Sequence, residues 1–355
     1  MNALNPLKPS FLLRNPDVQN ILSSTGIRKL LLKRRMKAFL DHTSDHLINS
    51  GVEDQGVVNR FIGSESKIDT STTRQSFSQN QDVQLSGELT FDRTNQQGLV
   101  ILIHGWEGSS QSAYVLSAAM ALFTAGYNVF RLNLRDHGDS QRLNQGLFNS
   151  TLIDEVNGAI KSIQQQWPHS DNYLAGFSLG GNFALRVALS ARRNQLRFNK
   201  VAAVCPVIDP AKTLTALENA NFFYQKYFVS KWRNSLLKKL HHFPDYAYGD
   251  ELKKLRSLAD MHDFFVPRFT PFDNRNEYFE AYQITPEQLG SLKLSTTIIN
   301  SLDDPITCAD FLPQSHSSKN LSFSITEFGS HCAFLKDLKM NSWADEALVS
   351  IFQNP

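Results

Sequence analysis

Four short, nearly unbroken apolar runs fall between positions 98 and 207, and stretches of helical period separate them. The runs are GLVILIHG (98–105), YNVFRLNL (127–134), NYLAGF (172–177) and KVAAVCPV (200–207); the spacers cover about 112–124, 151–166 and 179–193. A strand that is apolar on both faces must be covered on both faces, and strands separated by helices pair in parallel. Right-handed crossovers then carry the strand C-termini to one edge, where α/β proteins build their sites. The rhythm stops after 208 and resumes with STTIINS (295–301), a short helix, LSFSITEFG (321–329) and a closing helix near 341–353. The chain therefore reads as one α/β core, a mostly parallel sheet with helices on both faces, interrupted by an insertion. Residues 1–208 hold the first part of the core and an N-terminal helical segment, 209–285 the insertion, and 286–355 the rest of the core.

The insertion is helical in pattern and holds 16 of the chain's 38 Phe, Tyr and Trp residues, notably in NFFYQKYF (221–228) and HDFFVPRF (262–269). Such a segment is either a lid over an apolar pocket or a set of aromatic anchors that fix helices to the core. Ahead of the core, 16–48 reads as helix, with Ile27, Leu30, Leu31, Phe39 and Leu40 as its apolar side. Arg28, Lys29, Lys33, Arg34, Arg35 and Lys37 crowd ten residues of it. That basic helix is a solvated face packed on the core or, as the rival reading, a weak contact with an anionic membrane surface. Residues 63–81 are polar and read as an exposed hairpin or loop, and VQLSGELTF (83–91) alternates as a half-buried strand does.

Composition narrows the classes. Thirty-six basic residues against 34 acidic ones leave a net charge of +2, which gives no field that gathers nucleic acid. Cys205, Cys308 and Cys332 are an odd, scattered set without a CxxC pair, as expected of free thiols in a reducing compartment. The first twenty residues do not read as a signal peptide, and the longest clearly apolar run, 99–103, is far too short to span a bilayer. A soluble, cytoplasmic protein is expected. Oligomeric state is not legible.

The stretch LAGFSLGG (174–181) stands where a strand becomes a helix and fits G-x-S-x-G as Gly176, Ser178 and Gly180. In so tight a turn the positions two residues before and after the serine press on the backbone, and glycine removes the Cβ atoms that would collide. The hydroxyl is then held at the strand's C-terminal end, over a helix N-terminus that favours developing negative charge. A serine hydroxyl needs a base, and that base needs an orienting carboxylate. In this arrangement the chain order is Ser, then Asp or Glu, then His. INSLDDPIT (299–307) offers Asp304 just past a strand, with Asp303 as the alternative acid, and TEFGSHCAFL (326–335) offers His331 past the last strand. His316 lies in a polar run and reads as solvated. The oxyanion donors are expected to be the backbone N–H of Leu179 and that of Trp106, where Gly105 and Gly108 let the backbone approach a substrate. His104, beside that loop, reads as structural, and Asp136, His137 and Asp139 as turn chemistry. Neither a metal nor a cofactor is called for: no HExxH or clustered ligand spacing occurs, and His241-His242 stands alone.

Taken together, HGWEGSS (104–110), GFSLGG (176–181), SLDDP (301–305) and GSHCAFL (329–335) resemble an α/β-hydrolase, in its YheT-like branch, which also holds ABHD-type esterases and lipases. FLLRNPDVQNIL (11–22) resembles that branch's N-terminal segment, and LADMHDFFVPRFTPFDNRNEYFEAYQI (258–284) the segment leading from its cap to the core. The turn RDHG (135–138) and the polar stretch 63–81 depart from its pattern. The resemblance implies a carboxylic ester hydrolase with Ser178 as nucleophile, His331 as base and Asp304 as acid. Its expected partner is a small-molecule ester with an apolar acyl chain. Two other functions stay open: acyl transfer to an alcohol by the same three residues, and a binding module without catalysis. Against the first, the H-x-x-x-x-D signature of fatty-acyl transfer is absent, since Asp337 falls one position too far from His331.

Overall fold

In the computed structural model the described residues are 6–24, 26–54, 82–220, 222–312 and 318–354. The hairpin expected at 63–81 and His316 lie outside them, as do the side chains of Ile27, Lys33, Arg34, Arg35 and Lys37. The strands are β1 (Thr43–Glu53), β2 (Asp82–Thr90), β3 (Leu99–Ile103), β4 (Asn128–Leu132), β5 (Asn172–Phe177), β6 (Lys200–Val204), β7 (Ser295–Ser301) and β8 (Leu321–Thr326). They form one sheet in the order β1-β2-β4-β3-β5-β6-β7-β8. β2 pairs antiparallel with β1 and β4, and every other pairing is parallel. This is the mostly parallel sheet expected from the sequence.

The helices are α1 (Pro16–Ser24), α2 (Gly26–Asp41), α3 (Ala113–Thr124), α4 (Ile153–Gln166), α5 (Leu179–Ser190), α6 (Pro210–Asn219), α7 (Phe222–His242), α8 (Gly249–Lys254), α9 (Leu258–Phe269), α10 (Arg275–Tyr282), α11 (Pro286–Gly290) and α12 (Trp343–Gln353). Why the strands read as solid apolar runs is visible in β3. All five of its side chains are inaccessible; Leu99, Ile101 and Ile103 join the core with α4 and α5, whereas Val100 and Leu102 join α3 and α12 on the other face. Alternation persists, but both destinations are dry. Each such side chain contributes roughly 1.5–3 kcal/mol relative to leaving it in water.

The N-terminal segment differs from the single helix expected over 16–48. Helix ends at Asp41, and 43–53 is the edge strand β1. Its inward positions are Ile48 and Ser50, and Leu47 faces water at 59% exposure, so the period of two is scarcely written in apolar residues. The face of α2 also differs. Phe39 and Met36 are buried, but Leu30, Leu31 and Leu40 are exposed, and Arg28 is inaccessible, 3.5 Å from Asp345 of α12. Asp345 in turn accepts the Ser117 hydroxyl of α3 at 2.5 Å. An anion waiting between α3 and α12 decides which side of α2 turns inward, against the apolar count.

Between β6 and β7 the chain is helical, α6 to α11, and side-chain caps fix the starts of α6, α9 and α11. Asp209 accepts the Lys212 N–H, and Ser257 with Asp260 and Thr285 with Gln288 form capping boxes. Lys239 of α7 ties this layer to the core: its buried ammonium donates to Asp136 Oδ1 at 2.8 Å and to the carbonyls of Asn144 and Gly146 at 2.6 and 2.9 Å. No helix among the described residues is long and apolar enough to cross a membrane.

Candidate active site

β5 ends at Phe177 and α5 begins at Leu179, so Ser178 alone makes the turn. Its backbone has φ 54° and ψ −118°, a region a residue with a Cβ occupies only under constraint. The constraint is steric. A Cβ on Gly176 would lie 2.0 Å from the Gly180 carbonyl oxygen, and one on Gly180 would lie 2.3 Å from that of Ile103. The Ser178 N–H donates to the Val204 carbonyl at 2.8 Å, and the Ser178 carbonyl accepts from Asn182 N–H at 3.1 Å.

The segments after β7 and β8 converge on this turn. His331 Nε2 is 2.9 Å from Ser178 Oγ, and His331 Nδ1 is 2.9 Å from Asp304 Oδ2 and 3.2 Å from Oδ1. With a buried carboxylate on Nδ1, the proton belongs there, which leaves the Nε2 lone pair facing the hydroxyl. Asp304 is held from behind: Oδ1 accepts the N–H groups of Ile306 and Thr307 at 2.8 and 3.0 Å, and Oδ2 the Thr307 hydroxyl at 2.7 Å. Burial works against its charge, but His331 and these donors outweigh it and keep the carboxyl below its ordinary range. Burial likewise disfavours a charged His331, and the Asp304 charge overrides it, raising the imidazole to about 9.

Asp303, the other acid the spacing allowed, points elsewhere. Its Oδ1 accepts the Ser330 N–H at 2.7 Å, a tether on the loop that carries His331. Burial raises its carboxyl, and Oδ2 has no partner among the described residues.

Beyond β3 the backbone folds back on itself. Gly108 N–H donates to the Gly105 carbonyl at 2.9 Å, Gly105 N–H to the Tyr114 hydroxyl at 2.9 Å, and Glu107 N–H to His137 Nε2 at 3.1 Å. The N–H groups of Trp106 and Leu179 have no acceptor among the described residues. The Trp106 indole stacks on Phe228 of α7, centroids 5.7 Å and planes 6° apart, and meets Trp232 edge-on at 5.2 Å. His104 is inaccessible. Its Nδ1 reaches the Gly105 carbonyl at 2.7 Å, its Nε2 accepts the Leu134 N–H at 3.1 Å, and burial lowers it to about 3. His137 is buried too, with Nδ1 against the Arg135 carbonyl at 2.6 Å. These two rings hold the loop, and among the described residues neither hydrogen-bonds to Ser178.

A cavity of about 980 Å³ opens over the serine. Ser178, Leu179, Trp106, His331 and Cys332 form its floor, and Phe228, Trp232, Phe265 and Phe279 from the inserted helices its roof. Several features escape sequence reasoning. Thr307 and Tyr114 are second partners whose role depends on where loops fold. Glu107, with φ 55° on the loop and its carboxyl pushed up to about 8 by burial, also lines the cavity. Cys205 and Cys332 come together beside His331 from positions too distant for any motif to link them.

Comparison with known proteins agrees with this architecture. YheT of Escherichia coli (strain K12), an esterase in name, is 23% identical over 241 residues, covering 66% of this chain and 70% of its own. Monoacylglycerol lipase ABHD2 of Danio rerio is 22% identical over 288 residues, covering 74% of this chain and 68% of its own. Among solved structures, the Pyrococcus furiosus esterase Pf2001 superposes with a TM-score of 0.50 at 16% identity, over 77% of this chain and 88% of that one. A membrane phospholipase A, described as a bacterial virulence factor, reaches 0.53 at 14% identity over 93% and 94%. At such identities these superpositions speak for the fold alone. The profile of the serine aminopeptidase S33 family (Hydrolase_4) matches residues 94–333, well over half of the chain. The chain belongs to that family of α/β-hydrolases.

Proposed function

We propose that this protein is a carboxylic ester hydrolase that works through Ser178, His331 and Asp304 and an acyl-enzyme intermediate. The observation that carries the reading is the approach of His331 Nε2 to Ser178 Oγ, 2.9 Å, with Asp304 behind the ring. Ser178 Oγ attacks the ester carbonyl as its proton passes to Nε2. The imidazolium so formed is stabilised by Asp304, which keeps its own charge. The oxyanion is received by the N–H groups of Leu179 and Trp106, aided by the α5 N-terminus. The imidazolium then gives its proton to the leaving alkoxide oxygen. Water, deprotonated by the same imidazole, attacks the acyl-enzyme, and collapse of the second tetrahedral intermediate frees the acid and restores Ser178.

The names of the relatives, an esterase and a monoacylglycerol lipase, favour an oxygen ester over an amide. The aromatic roof from 209–285 suits an apolar acyl chain lying against Trp106 and Phe228. The test uses chromogenic esters of two to eight acyl carbons. Ser178→Ala should abolish turnover while keeping the wild-type unfolding transition, and in the wild type kcat/KM should rise with chain length. Undiminished turnover by the variant would refute the nucleophile; a fall with chain length would refute the apolar pocket.

A further inference from the structure

We propose that Cys205, His331 and Cys332 form an inhibitory site for a soft divalent cation, zinc foremost, which captures the imidazole lone pair that Ser178 needs. One ligand atom from each of the three lies within 4.8 Å of the other two. Zinc held at about 2.3 Å from sulfur and about 2.0 Å from nitrogen sets tetrahedral ligand atoms about 3.5–3.8 Å apart. The cluster closes to that geometry by shifts of about an ångström, within reach of side-chain torsions. Both cysteines lie in left-handed backbone, φ 46° at Cys205 and 59° at Cys332, which non-glycine residues adopt only where the surroundings impose it.

Weak sulfur contacts, with each other and with the backbone, hold the thiols. Cys205 Sγ has the Ser330 carbonyl at 3.8 Å and the Cys332 N–H at 3.4 Å, and Cys332 Sγ has the Val204 carbonyl at 3.6 Å. The imidazole is ready as a ligand. Its Nδ1 is engaged by Asp304 at 2.9 Å, so Nε2 carries the lone pair, and a carboxylate behind a ligating histidine is what zinc sites use to orient the ring. Entry is through the substrate cavity, whose wall includes His331 and Cys332; Cys205 is inaccessible, its ligand atom within 4.8 Å of theirs. The fourth position falls to water or to Ser178 Oγ. Binding ionises two thiols, releases their two protons to solvent and leaves the imidazole without a base's lone pair. Inhibition rests on His331 being the base; binding does not.

Metal-free full-length protein is titrated with Zn²⁺ by calorimetry and with Co²⁺ by absorption. The expected result is one ion per chain, a thiolate-to-cobalt charge-transfer band, and loss of ester turnover that a chelator restores. Cys205→Ala and Cys332→Ser should each weaken binding at least tenfold, and inhibition likewise when scaled to each variant's own metal-free rate. Should either variant fold poorly, the wild type still decides. Zinc should protect Cys332 from a maleimide and leave the rate at Cys308 unchanged. No stoichiometric binding, a cobalt complex without the thiolate band, unchanged affinity in both variants, or bound zinc without inhibition would each overturn the proposal. Because calorimetry and spectra need no turnover, a failure of Ser178→Ala to abolish activity would be read separately from a failure of the metal site.

Discussion

Replacing Asp304 with Asn removes one charge and keeps the shape. The carboxylate oxygen lies 2.9 Å from His331 Nδ1. At an effective dielectric of about 20, that separation gives roughly 6 kcal/mol of attraction for the imidazolium formed in the transition state, or about four decades of rate. The asparagine also disturbs the tautomer. Its oxygen is drawn to the N–H groups of Ile306 and Thr307, which turns its amide N–H toward Nδ1 and drives the ring proton onto Nε2. Both effects act in the same direction, so kcat should fall by about 10⁴. Steady-state hydrolysis of a soluble ester from pH 5 to 10 reads both effects. The base works neutral, so the rate falls as pH drops through the His331 pKa, which Asp304 raises to about 9. The wild-type acid limb should therefore lie above the ordinary histidine value of about 6.5, and the variant's, governed by burial, below it. Asp303→Asn, altering only the tether to Ser330, should keep most of the turnover. Equal losses from the two variants, or an Asp304→Asn enzyme within tenfold of wild type, would refute this reasoning.

Two structural expectations accompany it. Gly180→Ala would drive a Cβ to within 2.3 Å of the Ile103 carbonyl. Urea unfolding should show a loss of about 1–3 kcal/mol, and turnover should drop more than a hundredfold as the serine shifts. Lys239→Met strands the buried Asp136 carboxylate and should cost about 3–5 kcal/mol in the same assay, with a smaller loss when Asp136→Asn is added.

How legible the molecule is in its sequence varies by element. β3, β5 and β6 are plain because a strand buried on both faces leaves few positions for a polar residue: Asn172 and Lys200 stand only at the first position of β5 and β6. β1 is not, because an edge strand needs few apolar side chains, and its neighbours Leu47 and Ile48 fit a helix equally well. Arg28 shows the limit of counting charges: a basic residue belongs to the surface only if no buried anion awaits it, and Asp345 lies 317 positions away. The elbow is legible because its steric demand is local. Which of two adjacent aspartates faces His331 is not, since that depends on the turn made by Pro305, Ile306 and Thr307 and on N–H groups whose direction no spacing encodes.

Ester hydrolysis by the proposed route requires Ser178 to be the nucleophile that His331 activates. Reaction with a fluorophosphonate, followed by mass mapping of the digested chain, measures this directly. The expected result is a single adduct on the peptide carrying Ser178, formed orders of magnitude more slowly in His331→Ala; an adduct on another residue, or an enzyme that hydrolyses esters and takes up no label, would contradict it.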